Sequence, residues 1–208
     1  MTKLSTLISF IFSSLFLFAQ PGVEDQNYNT KAFHKSIAGP VYSMVIQNDD
    51  RIIIGGDITS TSNTNKYIYR INPDRTIDSS FLAGTGVNKA IYSILFQQDG
   101  KILVGGDFEV FDGQNAGGII RLLPDGQIDN SFTTGVGAFL LGQSGKVRDV
   151  FLQNDGKIIV TGDFDQFNGV SRNRIVRLNS DGTIDLSFDP GVGVTANGDP
   201  YLYDVQIL

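Results

Sequence analysis

Two sets of positions carry oxygen where chemistry could be done. The first is Asp57, Asp107 and Asp163, each closing a Gly-Gly-Asp or Thr-Gly-Asp step. Around the third, Asp163-Phe-Asp165-Gln-Phe-Asn168-Gly169 loosely resembles an oxygen-rich calcium loop; the second offers Asp107, Glu109 and Asp112, and the first only Asp57 before Thr59 and Ser60. Hard cations take six to eight oxygens, which this spacing alone does not gather. The preferred reading is structural: these aspartates bond loop amides or pair with Arg70, Arg121 and Arg177 further along. The second set is Ser43, Ser93, Asp149 and Asp204, at equivalent points of a repeated segment. Asp149 and Asp204 could project carboxylates toward a common axis, where a metal-dependent hydrolase or lyase would use them, although two such groups more often bond water or amides. A nucleophilic triad has little support. His34 is the single histidine and lies outside the repeats, and the absence of cysteine removes thiolate chemistry, disulfides and Cys-ligated metal. Gly-x-Gly stretches begin at Gly84, Gly135 and Gly191, but no helix follows to complete a phosphate site. No catalytic residue, metal site or cofactor is assigned from the sequence, and the ligand-binding residues stay unknown.

The elements that must position these groups come from an internal repeat. VYSMVIQNDDRIIIGGDI starts at Val41, IYSILFQQDGKILVGGDF at Ile91 and VRDVFLQNDGKIIVTGDF at Val147. Each is followed by a second block: YIYRINPDRTIDSSF, IIRLLPDGQIDNSF or IVRLNSDGTIDLSF. Asp57, Asp107 and Asp163 fall 50 and 56 residues apart, and LYDVQIL from Leu202 begins a fourth copy. Each copy reads as four short strands. An alternating strand meets a tight turn; an apolar strand ends in Gly-Asp; a third carries the arginine; a second turn leads to Ile-Asp-x-Ser-Phe. Asp99-Gly100, Asp125-Gly126, Asp155-Gly156 and Asp181-Gly182 suit two-residue type I′ hairpins, where both central residues need positive φ. Asp50 and Arg75 replace glycine in the first copy, which should therefore have the least regular turns. The aspartates Asp78, Asp129 and Asp185 follow a turn and should bond neighbouring backbone amides. Phe81, Phe132 and Phe188 are expected to pack between units. Four antiparallel strands at this period imply an all-β chain of β-propeller blades. The expected organisation is a signal peptide at 1–19, a leader at 20–40, blades at 41–90, 91–146 and 147–201, and a truncated first strand at 202–208.

The unit GKIIVTGDFDQFNGVSRNRIVRLNSDGTIDLSF, from Gly156 to Phe188, closely resembles the delta-60 repeat. The motif joins D-G-K-I, G-D-F, R-L, D-G and D-x-S-F in order, and the similarity runs from about Val41 to the end. Copy one departs most, with Ile58 for Phe and Ile71 for Leu. The resemblance implies a β-propeller of bacterial exported, often surface-associated proteins, and no established activity, so no catalytic position carries over. Kelch and WD units fit worse because both carry tryptophan, absent here.

Composition agrees with many short strands: 24 Gly, 15 Phe and 7 Tyr. A formal net charge of −6 argues against a nucleic-acid partner, which would need basic stripes. Lys3, the apolar run from Leu7 to Phe18, and Ala19 before Gln20 read as a cleavable signal peptide, with an uncleaved anchor as the alternative. Beyond Gln20 no segment is apolar and long enough to span a membrane. Phe33 of the leader falls where Phe81, Phe132 and Phe188 fall, so the leader could supply an outer closing strand. Propellers usually hold about 4 to 8 blades. Three copies and a stub imply an incomplete ring, read as a fragment of a longer protein, with closure by oligomerisation as the alternative. The turns inside blades are short and alike, whereas the other connections are long and varied and should share the opposite face. Recognition usually sits on such loops. There Phe139, Leu140 and Leu141 form either a contact patch or the cover of a blade edge. The expected function is a secreted or cell-surface, non-enzymatic binding scaffold for an unknown protein or glycan ligand.

Overall fold

A computed structural model describes residues 37–60 and 67–193. Residues 1–36, with Phe33, His34 and the segment expected to be a signal peptide, and 194–208, with Asp204 and the expected start of a fourth copy, lie outside the described residues.

Each repeat folds as an antiparallel meander. The inner, middle and outer strands are Val41–Ile46, Ile52–Gly56 and Ile68–Ile71 in blade 1. They are Ile91–Phe96, Ile102–Gly106 and Ile119–Leu122 in blade 2, and Lys146–Leu152, Ile158–Asp163 and Ile175–Leu178 in blade 3. The middle strand of blade 2, Ile102–Gly106, is a continuous apolar run buried at every position because blades 1 and 3 cover its two faces. The fourth segment is reduced to one antiparallel bridge per blade, Ile71 to Ile77, Leu122 to Ile128 and Leu178 to Ile184. The next residue is the Asp of Ile-Asp-x-Ser-Phe. Its side chain accepts from the Ser amide two positions on, at 2.9, 3.0 and 2.9 Å, and this turn bends the chain out of the ladder.

The intrablade turns are not type I′. In Gln97-Gln98-Asp99-Gly100-Lys101 only Gly100 has positive φ (86°). The Gly100 amide donates to Gln97 O, and the Gln97 amide to Lys101 O. This is a three-residue loop, a type I turn closed by a left-handed residue. The Asp stays at negative φ because its carboxylate accepts from the amide two residues on, as Asp99 does from Lys101 at 3.2 Å. Copy one has the same turns rather than irregular ones: Asp50 (φ 61°) and Arg75 (φ 74°) occupy the glycine positions, with the same pair of backbone bonds. The hairpin ladder on both sides outweighs a left-handed penalty of about 1–2 kcal/mol.

Blades stack through a gap left for the neighbour. A Cβ on Gly55 would lie 2.7 Å from Ile94 and 2.8 Å from Ile91, and one on Gly105 2.8 Å from Val147 and 2.9 Å from Val150. The inner strand of each following blade therefore presses on the bare backbone of the preceding middle strand. One apolar cluster joins blades 1 and 2, from Ile53 to Leu122, and a second joins blades 2 and 3, from Leu103 to Leu178.

The described parts of the long connections share one face and pair more regularly than their varied sequences suggest. The segment entering each blade pairs with the segment after its middle strand: Ile37–Ala38 with Thr59–Ser60, Val87 with Phe111, and Ala138–Phe139 with Gln166–Phe167. Short hairpins, Val110–Phe111 with Gln114–Asn115 and Gln166–Phe167 with Val170–Ser171, cap blades 2 and 3. Phe108, Phe111, Phe164 and Phe167 are fully buried beneath them. Phe139 and Leu140 are half-buried in an interior strand of a four-stranded sheet, paired with Gln143–Ser144 on one side and Gln166–Phe167 on the other, while Leu141 stands 85 % exposed at the tip.

A comparison of two alanines separates local turn strain from blade packing. Gly156 and Gly182 share a left-handed backbone (φ 82° and 90°). A Cβ on Gly156 has its nearest contact at 3.9 Å, whereas one on Gly182 meets Thr133 O of the preceding blade at 2.9 Å. Gly156→Ala is expected to cost about 1 kcal/mol of strain, and Gly182→Ala about 1–3 kcal/mol more through overpacking. Urea midpoints of the two variants check this; equal losses would show that the turn is not an interblade contact.

Candidate functional site

The most regular side-chain constellation is a latch between blades, built from the motif residues. Arg121 donates from Nε to Asp129 Oδ2 at 2.7 Å; Arg70 does so to Asp78 at 2.7 Å and Arg177 to Asp185 at 2.8 Å. The other Asp oxygen takes the Ser131, Ser80 or Ser187 hydroxyl at 2.6 Å. The cation after the first turn reaches the same carboxylate: Arg51 at 3.0 Å, Lys101 at 3.1 Å and Lys157 at 2.9 Å. Each guanidinium lies over the Phe that ends its repeat, 4.8, 4.7 and 4.8 Å from the centroids of Phe81, Phe132 and Phe188. Nη2 stays with the serine, at 3.3 Å for Arg70 and 3.2 Å for Arg121, and Nη1 crosses to the next blade: Arg70 Nη1 donates to Pro124 O and Arg121 Nη1 to Ser180 O, both at 2.6 Å. The Leu82 and Thr133 amides add bonds to Asp125 O and Asp181 O of the following turns. Thus Lys-Ile, Arg-Leu, Asp-Gly and Asp-x-Ser-Phe in the repeat are one structural device.

Electrostatics follow from this crowding. Burial pushes the Asp129 and Asp78 carboxyls up, but Ser hydroxyl and amide donors and two cations outweigh it and hold both well below the usual carboxylate range. Asp185 is lowered by the Ser187 hydroxyl first, with Lys157 and Arg177 adding to it.

The Gly-Asp aspartates do not pair with the strand-three arginines, because Asp78, Asp129 and Asp185 already occupy them. Asp163 takes Arg148 at 2.6 Å, Asp107 takes Lys146 at 3.1 Å, and Asp57 is exposed, its amide bound to Pro40 O. The loose calcium pattern is divided among separate partners. Asp165 accepts from the Leu141 amide at 3.0 Å, Asn168 from the Val136 amide at 3.2 Å, and Asp112 from the Thr85 amide at 2.9 Å. Glu109 pairs with Lys89 at 2.8 Å. Among the described residues no group of three or more His, Asp or Glu side chains converges on one point. Asp112 and Asn168 instead grip the Gly-x-Gly segments that enter their blades, and their own amides return bonds to Gly86 O and Gly137 O. Asp112→Ala should cost about 1–2 kcal/mol locally and speed hydrogen exchange of the Thr85 amide; unchanged exchange there would remove the clamp.

Of the Ser43, Ser93, Asp149 and Asp204 set, the first three lie side by side on successive inner strands, and Asp204 is outside the described residues. Each inner strand has a bulge at the same place, between Val41 and Ser43, Ile91 and Ser93, and Val147 and Asp149. Ser43 Oγ accepts from the Ile94 amide at 2.9 Å, and Ser93 Oγ donates to Asp149 Oδ1 at 2.7 Å. Asp149 Oδ1 also accepts from the Val150 amide at 2.8 Å. Among the described residues, the donors to this carboxylate are thus a hydroxyl and an amide. The bulge residues themselves went unnoticed in the sequence: Tyr42, Tyr92 and Arg148 form a row across the three blades. The tyrosine centroids are 5.7 Å apart at 45°, and the Arg148 guanidinium lies 4.7 Å over Tyr92. Together with the Ser–Ser–Asp row they line a groove of about 670 Å³. The signal available was the residue just before each Ser or Asp of the set.

Similarity to solved structures is spread thinly. A protein of unknown function from Bacteroides caccae is 16 % identical with a TM-score of 0.42, over 68 % of this chain and 46 % of that one. The extracellular domain of a one-component system from B. thetaiotaomicron is 16 % identical, TM-score 0.39, over 66 % and 14 %. PorZ, a surface component of the type-IX secretion system of Porphyromonas gingivalis, is 11 % identical, TM-score 0.37, over 74 % and 22 %. The chain spans less than half the length of each of these structures. No curated protein matches. A family model, by contrast, matches at 47–81, 97–132 and 153–188, half of the chain. Each match starts at the Gln that opens an intrablade turn and ends on the latch phenylalanine. Three such matches, on three blades with the same latch, show that the chain belongs to the family described as "Domain of unknown function (DUF5122) beta-propeller".

Proposed function

We propose that this chain is an exported, non-catalytic binding scaffold of the delta-60 type, whose ligand meets the face where the long connections lie. The observation that carries the reading is how the acidic side chains are used. The latch aspartates hold blades together, the loop aspartates hold loops, and Asp149 joins blade 2 to blade 3. Such commitments favour a rigid platform over a set of groups free to exchange protons. Export rests on the Lys3, Leu7–Phe18 and Ala19 pattern. A hydrolase or lyase with a channel metal is the rival, centred on Asp149.

Two measurements test it. Protein recovered from the medium or surface of a bacterial host should begin at Gln20, and retention of residues 1–19 in cytoplasmic protein would overturn export. Incubation with oligosaccharide and peptide mixtures, with and without added calcium, should leave every compound intact by mass spectrometry. Turnover that disappears in Asp149→Asn would overturn the scaffold reading in favour of the rival.

A further inference from the structure

We propose that the Tyr42–Tyr92–Arg148 row, with the Ser43–Ser93–Asp149 row beside it, is a binding site for a neutral oligosaccharide. The proposal rests on the scaffold reading and narrows it to a site and a ligand class.

A bulge adds a residue to a strand and re-aims its side chain. Here the same bulge recurs in three blades, so three side chains are re-aimed onto one rim, the end of the inner strands that adjoins the long connections. Two of them are tyrosines, tilted by 45° at 5.7 Å; the Arg148 guanidinium lies over the Tyr92 ring, so Tyr42 carries the open end of this aromatic platform. Tyr42 is 51 % exposed, on an inner strand whose Val41, Met44 and Ile46 are exposed as well. The aromatic face is apolar and the phenol oxygen polar, the combination that an amphipathic sugar ring answers with its C–H face and its hydroxyls.

The polar row supplies both hydrogen-bond senses. Ser43 Oγ accepts from the Ile94 amide, which leaves its proton to donate. Among the described residues Asp149 uses only Oδ1, for Ser93 and Val150, which leaves Oδ2 to accept. A donor and an acceptor thus stand beside the tyrosine platform, suited to adjacent sugar hydroxyls. Charge selects against acidic ligands. The chain carries −6, and the rim's cation, Arg148, is engaged by Asp163 through Nε and Nη2. The groove of about 670 Å³ is of a size that holds a small ligand.

The chain has seven tyrosines and no tryptophan, so intrinsic fluorescence reports on tyrosine directly. The purified full chain is titrated with neutral hexasaccharides of β-1,4-glucose, β-1,3-glucose, β-1,4-xylose and β-1,4-mannose, with calorimetry in parallel. At least one should saturate below about 1 mM. Tyr42→Ala should weaken it at least about tenfold. Tyr92→Phe, which keeps the packed ring, should weaken it less than Tyr42→Ala, and Leu141→Ala on the loop tip should leave it unchanged. No binding by any of the four up to about 5 mM, or an affinity in Tyr42→Ala within about twofold of the parent, would overturn the site. Binding that survives Tyr42→Ala but fails in Leu141→Ala would sink this site and keep the scaffold reading. Shortened sugars in the titration mixture would sink the scaffold reading and keep the site.

Discussion

Replacing Asp129 with alanine is expected to destabilise the protein by about 3–5 kcal/mol, because it removes one member of a buried charge cluster and strands the others. Asp129 and Arg121 have side chains only 7 % and 8 % exposed. The carboxylate takes four donors: Arg121 Nε, the Ser131 amide and hydroxyl, and Lys101 Nζ. Without it the guanidinium keeps only the Ser180 carbonyl, a long bond to Ser131, and the face of Phe132. Asp185→Ala removes the same motif position, yet it should cost less, since Arg177 is 21 % exposed and water can solvate it. Urea unfolding at neutral pH checks both, and an Asp129→Ala loss no larger than that of Asp185→Ala would count against the buried latch. The sign of the pH dependence follows from the depressed carboxyls. A group lowered on folding contributes stability above its unfolded value, about 3.9, and loses it as pH falls toward the folded value. The latches should therefore weaken progressively below about pH 4, and Asp129→Ala should flatten that acid limb.

Phe132→Ala is expected to cost a similar amount, about 3–5 kcal/mol, by a different route. The ring is 6 % exposed, belongs to the apolar cluster joining blades 2 and 3, and lies under the Arg121 guanidinium. Its truncation opens a cavity against Gly182, whose missing side chain is what lets the ring approach. Phe188→Ala provides the internal comparison. Phe188 is only half-buried, so the same truncation should cost less than at Phe132. An unchanged midpoint in Phe132→Ala would remove the interblade role. Because Phe132 and Asp129 both act through Arg121, the double variant should lose less than the sum of the two. Full additivity would mean that they support the interface independently.

These effects bear on function through rigidity. The latch and the glycine gap fix each inner strand against the next, and it is this fixed spacing that aligns Tyr42 with Tyr92 and Ser93 with Asp149. A variant that loosens blade packing should weaken any ligand of the channel rim without touching it.

The sequence by itself determined the blade. Alternation in VYSMVI and IYSILF, the apolar ILVGG-type runs and the Asp-Gly steps are local patterns, and local patterns report strand, turn position and period directly, though not the turn type. They also sufficed for the turn role of Asp78, Asp129 and Asp185, which is a contact between residues two apart. Partners distant in sequence were another matter. Arg70 could have met Asp57 or Asp78, and only the ladder register brings Asp78 to its Nε. Arg75 was expected to distort its turn, but the strands on either side impose the left-handed backbone on it. The long connections differ in sequence and still pair alike, because main-chain bonds are indifferent to side-chain type. Tyr42, Tyr92 and Arg148 escaped notice for a related reason. A bulge is a shift between two strands, so it has no signature in either one, and only stacking the blades places its residues side by side.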